Sequence, residues 1–253
     1  MTVPLSVQLY TLRALRNLDR ILQVAASAGY QYVETLGAHL DDPVKTAAKL
    51  QAHGLRPSSS HVGLDALRAK PDALIDACHQ LGIEQLFMPA VPPEQRDMDA
   101  DGWRALGDEL GAVAARFQAQ GISLGYHNHD WELAPKDGER SALELLFEAA
   151  GDRPLAWQAD VAWLVRGGAE PKAWLDRYRD RLISAHVKDI APAGQNLDED
   201  GWTDVGAGVL DWPDLWHACL DAGAQTMVVE HDQPSDPVRT ARASFDFLRS
   251  LAA

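Results

Sequence analysis

The sequence predicts an α/β protein folded as a single closed parallel (β/α)8 barrel, and three observations carry that reading. Strand-like and helix-like runs alternate eight times along the 253 residues, with no linker or break in composition between them. Glycine follows directly on helical runs at Gly29, Gly54, Gly82, Gly121 and Gly223, where a helix stop is expected. An open doubly wound sheet would carry a glycine-rich phosphate fingerprint after its first strand, and Gln8-Leu-Tyr-Thr-Leu-Arg13 has no glycine.

Taken in order, the first strand is expected at Leu5–Tyr10 and the amphipathic helix Leu18–Ala28 follows it. Strand Tyr30–Leu36 leads to helix Pro43–Ala52, and strand Leu55–His61 to helix Pro71–Leu81. Strand Ile83–Pro89 precedes the long helix Asp101–Gln120. A fifth strand enters at Ile122 and runs into Tyr126-His-Asn-His-Asp-Trp-Glu132, with helix Ser141–Ala150 beyond it. Strand Leu155–Val161 pairs with helix Pro171–Arg181, and strand Leu182–Ile190 opens a long Gly- and Asp-rich loop, Gln195–Leu210. Helix Trp212–Ala222, strand Thr226–Glu230 and helix Pro237–Leu251 complete one domain over residues 1–253.

Composition narrows the function classes. Hydrophobic residues at 46% and charged residues at 24% are ordinary for a globular protein. A net charge of −14 argues against a nucleic-acid partner, because phosphate backbones are held by clustered Lys and Arg. Cys78 and Cys219 sit far apart in helical patterns and read as buried apolar side chains, not as a disulfide or metal pair. Met1–Val7 has no basic segment followed by an apolar run, and no stretch approaches a membrane span. A cytoplasmic protein without membrane contact is therefore expected, and a homo-oligomer is compatible with the sequence.

Chemistry gathers at the strand ends. His39, His61, His127, His129, His186 and His231 lie at or just after predicted strands, whereas His53, His79 and His217 fall in helices. Glu34, Asp160, Asp189 and Glu230 occupy equivalent positions. A (β/α)8 barrel presents those ends at one mouth, where active sites form. His127, Asp160, His186 and Glu230 come from four consecutive strands, and imidazole with carboxylate oxygen suits a borderline divalent cation. A lone strand-end Asp or His more often satisfies a loop, so the expectation of a metal rests on the four together.

The carrying segments are Tyr126-His-Asn-His-Asp-Trp-Glu132, Trp157-Gln-Ala-Asp-Val-Ala-Trp163, His186-Val-Lys-Asp189, Val205-Gly-Ala-Gly208 and Val229-Glu-His-Asp-Gln-Pro234. In combination they resemble the xylose isomerase-like superfamily, in its sugar phosphate isomerase/epimerase branch. The resemblance covers almost the whole chain. It implies a metal held by a Glu, an Asp, a His and a Glu, of which Asp160, His186 and Glu230 match the last three. His127 stands where relatives place the first carboxylate, so either the imidazole ligates or Glu132 reaches back to do so. The ion is expected among Mn, Co, Zn, Fe and Mg.

The resemblance further implies proton transfer beside a carbonyl of a sugar or keto-sugar through an enediolate, as in an isomerase or epimerase. Glu230 is the expected base, Glu132 or His129 the group opposite, and Lys188, on the same strand face as His186, a catalytic or carboxylate-orienting cation. Glu34, His61, Trp163 and Trp202 are expected to contact substrate, and Gly206 and Gly208 to permit a mobile lid. The same centre could serve a lyase, dehydratase or hydrolase acting on a keto-sugar, a keto-glycoside or an inositol-like ketone. An endonuclease of the same superfamily is disfavoured by the charge, and a non-catalytic sugar-binding protein would hold no metal. No phosphate loop is evident and Ser235–Pro237 reads as a helix cap, so a small non-phosphorylated sugar is the expected partner.

Overall fold

A computed structural model describes residues 3–252. Met1, Thr2 and Ala253, which belong to the expected domain and, for the first two, to the segment read as carrying no leader, lie outside the described residues.

Eight parallel strands close into a barrel in chain order: β1 (Leu5–Gln8), β2 (Tyr32–Leu36), β3 (Arg56–His61), β4 (Gln85–Met88), β5 (Ser123–His127), β6 (Ala156–Asp160), β7 (Leu182–Val187) and β8 (Thr226–Val229). β8 returns to β1 with Met227 opposite Leu5 and Val229 opposite Val7. The outer ring is α1 (Leu18–Ala28), α2 (Pro43–Ala52), α3 (Pro71–Leu81), α4 (Ala100–Gln118), α5 (Ala142–Ala150), α6 (Pro171–Arg177), α7 (Trp212–Ala222) and α8 (Pro237–Leu251). α1 illustrates their logic. Asn17 accepts the Arg20 N–H at its start, Ile21, Leu22, Val24, Ala25 and Ala28 face the barrel, and Gly29 ends it at φ 113°. A Cβ at Gly29 would lie 2.4 Å from the Phe245 ring, so the stop also lets α8 pack closely. Cys78 and Cys219 are free and fully buried. Among the described residues no helix is long and apolar enough to cross a membrane.

The barrel differs from expectation at its mouth. β1 stops at Gln8, whose side chain accepts the Tyr10 N–H and starts a 3-10 turn over Leu9–Leu15. β7 stops at Val187, and Asp189–Ile190 leaves the barrel to pair antiparallel with Trp202–Thr203. That departure fixes the loop expected to act as a lid. The buried Asp189 carboxylate accepts backbone N–H groups from Gly206, Gly208, Leu210 and Ile190 at 2.9–3.2 Å. A Cβ at Gly208 would sit 2.1 Å from Asp189 Oδ1, so this glycine permits close approach to the carboxylate, and the loop is tied down. Asp236 caps α8 by accepting the Val238 and Arg239 N–H groups, which accords with the helix-cap reading of Ser235–Pro237.

Inside the barrel, below the mouth, lies a polar layer. Gln8, Glu34, Ser59, Gln158, Ser184 and His186 are each fully buried. Strand register makes neighbours of several: Gln8 opposite Glu34, Glu34 opposite Ser59, His127 opposite Gln158, and Asp160 opposite His186.

Candidate active site

Buried polar side chains need partners, and in this layer one carboxylate supplies most of them. Glu34 Oε1 accepts from Gln8 Nε2 at 2.7 Å and His186 Nε2 at 2.7 Å, with His61 Nε2 at 3.0 Å. Its Oε2 accepts from Ser59 Oγ at 2.6 Å and Gln158 Nε2 at 2.7 Å. Glu34 was expected to hold substrate hydroxyls. Instead both oxygens are saturated by protein donors and no part of it is exposed. Its own burial works against ionisation, but His61 and His186 outweigh that and hold it far below the usual carboxylate range.

Above this layer the strand ends converge. One nitrogen or oxygen atom from each of His127, Asp160, His186 and Glu230 lies within 4.8 Å of all the others, and all four residues are buried. Register explains the meeting: Asp160 and His186 face each other across β6 and β7, and Glu230 directly follows β8, its N–H bonded to Val187 O. Asn128 staples the two sides by accepting Trp157 Nε1–H and the Asp160 N–H while donating to Asp160 O.

The donor atoms fit a divalent cation. Asp160 Oδ1 caps the short helix Val161–Arg166 through the Trp163 N–H, and its buried Oδ2 has no hydrogen bond. That oxygen stands 4.0 Å from both His127 Nε2 and His186 Nδ1, and 3.1 Å from the Lys188 ammonium. His186 Nδ1 is 3.0 Å from Glu230 Oε2 while its Nε2–H is held by Glu34. A ligating histidine whose second nitrogen donates to a carboxylate is the usual orientation device at metal sites. Against the burial that disfavours charge, Glu34 and Glu230 raise His186 to about 10. Glu230 is likewise held well below its ordinary range, its burial outweighed by Lys188 and His186. The carboxylates of Asp160, Glu230 and Asp232 crowd around the Lys188 ammonium, and a cation among them would balance the remaining charge.

A second grouping, His61, His127 and His186, is no separate centre. His127 and His186 belong to the first grouping, and each of the three histidines has one nitrogen engaged in the polar layer, His61 Nε2 on Gln158 at 2.7 Å, His127 Nδ1 on Gln158 at 3.1 Å and His186 Nε2 on Glu34.

The remaining expected residues divide by their surroundings. Lys188 is fully buried, with Nζ at 3.1 Å from Asp160 and Glu230 and 2.8 Å from Asp232. It sits over the Trp163 and Trp202 rings at 5.2 and 4.9 Å and does not line the cavity. Trp202 is fully buried behind it, under Arg166, and offers no surface to a substrate. Trp163 is half-buried, edge-on to Trp202 at 4.7 Å. Glu132, one of the two expected first ligands, turns away from the centre: Tyr126 OH donates to Oε1 at 2.7 Å and the His129 N–H to Oε2 at 2.8 Å. It is fully buried, and burial raises it to about 7. His129 is half-buried, stacked on Trp131 at 4.0 Å, with Nδ1 lacking any partner. Burial, reinforced by Lys188, holds its imidazole well below the usual range and therefore neutral. His39 and His231 stay outside the centre: His39 Nδ1 accepts the Leu36 N–H, and His231 Nδ1 accepts that of Gln233.

A cavity of about 350 Å³ opens onto the centre, walled by His61, His127, His129, Glu230 and Asp232 with Tyr10 at its edge. A larger hollow of about 770 Å³ lies at the opposite end of the barrel, between Tyr32, Arg56, Gln85 and Gln225, away from the ligating cluster. Gln8, Ser59, Gln158, Asn128 and Asp232 take part in the site and had not been singled out from sequence. The available signal was position: Gln158 precedes Asp160 by two on one strand, hence on the same inward face.

A family model described as xylose isomerase-like TIM barrel matches residues 22–251, and the chain belongs to that family. Inosose dehydratase of Geobacillus kaustophilus (strain HTA426) is 26% identical over 194 residues, 68% of this chain and 62% of that protein, so the match spans less than two thirds of the relative's length. Among solved structures, a sugar phosphate isomerase/epimerase from Parabacteroides distasonis superposes with a TM-score of 0.79 at 21% identity, covering 100% of this chain and 95% of the other. The IOLI protein, solved with a zinc atom, gives 0.70 at 17% identity over 100% and 98%. At these identities the structural likenesses establish the fold.

Proposed function

We propose that this protein is a divalent-metal-dependent dehydratase of a neutral keto-inositol or keto-sugar. The observation that carries the reading is the convergence of His127, Asp160, His186 and Glu230 beside a cavity wall that holds the unengaged imidazole of His129. A bound cation would draw electron density from a substrate oxygen and make the neighbouring carbon acid. The His129 imidazole, which lines the cavity, takes the proton from the carbon next to the carbonyl, leaving the electron pair in an enediolate. The pair then forms the new double bond as the C–O bond one carbon further on breaks. The His129 imidazolium returns its proton to that oxygen, and water leaves without any redox partner. Glu34 and Lys188 hold ligands and carboxylates in place and do not touch the substrate.

A neutral substrate is favoured because the cavity walls, among the described residues, carry no lysine or arginine and present Glu230 and Asp232. The dehydratase outcome is favoured by the inosose dehydratases among the sequence relatives. Isomerase or epimerase action, expected from sequence, shares every step up to the enediolate. It remains the second reading because Glu230 and His129 both face the cavity and could serve opposite sides of a substrate.

Incubation of the metal-loaded protein with inosose in deuterated water separates these readings. Loss of water with an enone-type absorbance supports the dehydratase. Deuterium exchange into recovered sugar without dehydration supports the isomerase. Activity surviving removal of metal, or a preference for phosphorylated over neutral sugars, overturns both.

A further inference from the structure

The Gln158 side chain meets residue 127 from the polar layer below. The Gln158 amide is held in one orientation: its Nε2 donates to Glu34 Oε2 at 2.7 Å, an oxygen that also accepts from Ser59 Oγ at 2.6 Å, and to Ser184 Oγ at 3.1 Å. Its Oε1 therefore points toward positions 61 and 127, where it accepts from His61 Nε2 at 2.7 Å and His127 Nδ1 at 3.1 Å. An imidazole meets that demand with Nδ1–H and turns the lone pair of Nε2 toward Asp160 Oδ2, 4.0 Å away. A carboxylate at 127 would set acceptor against acceptor in a fully buried place, with no proton between them.

We propose that Gln158 is the positioning residue that makes 127 a nitrogen ligand and so sets the metal preference of the centre. With two imidazole nitrogens and two carboxylate oxygens, the centre selects a borderline cation such as Zn(II), Co(II) or Fe(II) over Mg(II) or Ca(II). The inference rests on the metal-dependent reading above but not on its substrate or reaction, and its test contains no substrate.

Apo-protein is equilibrated with mixed Zn(II), Co(II), Mn(II) and Mg(II), and metal content is read by mass spectrometry for the wild type, Gln158→Met, His127→Glu and the double variant. The wild type takes Zn(II) or Co(II). Gln158→Met, freeing the imidazole to adopt either tautomer, loses about tenfold to hundredfold in Zn(II) affinity. His127→Glu loses affinity for every ion, and adding Gln158→Met to it restores binding with the preference moved toward Mn(II) and Mg(II).

Wild-type Zn(II) affinity in Gln158→Met, or undiminished binding by His127→Glu alone, overturns the proposal. Nitrogen-15 shifts of the metal-free wild type test it without a variant. His127 protonated on Nδ1 supports it, and protonation on Nε2 contradicts it. A protein that selects Zn(II) in this way yet leaves every keto-sugar unchanged sinks the proposed reaction and leaves this inference standing.

Discussion

Replacing Glu132 by glutamine separates a buried structural carboxyl from a catalytic one. In the folded protein Glu132 keeps its proton up to about 7, because burial raises it from the ordinary 4.5. Between those values the unfolded chain has released the proton and the folded one has not. Folding stability therefore falls as pH rises through this window and is level beyond it. At about 1.4 kcal/mol per pH unit the loss amounts to about 3 kcal/mol. Glutamine fits the same place without ionising: Oε1 accepts the His129 N–H and Nε2 donates to the Tyr126 oxygen, whose hydroxyl now turns elsewhere. Glu132→Gln should thus match the wild type near pH 5 and exceed it near pH 8 by about 3 kcal/mol, a rise in Tm on the order of 5–10 °C for a chain of this size. Thermal and urea unfolding at the two pH values provide the measurement, with turnover assayed alongside and expected at the wild-type rate. Equal destabilisation at both pH values, or a collapse of turnover in a folded variant, would refute the reasoning.

Other perturbations report on separate parts of the site. His129→Phe keeps the stack on Trp131 but removes both imidazole nitrogens, and should lower kcat by about 10²–10⁴-fold with metal content unchanged; loss of metal instead would make His129 part of the binding centre. Asp189→Asn replaces an acceptor of two loop N–H groups, Gly206 and Gly208, by a donor or leaves Leu210 and Ile190 unpaired. It should cost about 2–4 kcal/mol and expose residues 204–210 to proteolysis, and an unchanged Tm would show that the loop is not held there. Saturating the centre with a cation at about 100 times its Kd should add about 2.7 kcal/mol of stability, reversed by a chelator. A Tm indifferent to both treatments counts against a metal site in the folded state.

Strand ends were legible because short apolar runs give way abruptly to His, Asp and Glu, as at Tyr126-His127 and Ala159-Asp160, and because glycine marks the helix stops. What lay under the mouth was not. The partner of Gln158 is Glu34, 124 positions away, and an isolated amide in a strand gives no sign of what it will touch. Side-chain direction beyond the last strand residue was equally hidden. One 3-10 turn, Trp131–Leu133, swings Glu132 onto Tyr126 and away from the His127, Asp160, His186 and Glu230 cluster, and a tied loop carries Trp202 from an expected rim position to full burial. The strand-end position of Glu34 pointed to the barrel mouth, but its surroundings follow from five donors on four other strands, β1, β3, β6 and β7, that only closure of the barrel brings together.

Crystals of the protein grown with Zn(II) or Co(II), with anomalous scattering recorded at the metal edge, test the central claim directly. One ion should lie among His127, Asp160, His186 and Glu230, bonded to all four at about 2.0–2.2 Å, with Glu132 still turned toward Tyr126. An ion bound elsewhere, an ion that takes Glu132 in place of His127, or no ion at saturating metal would contradict it.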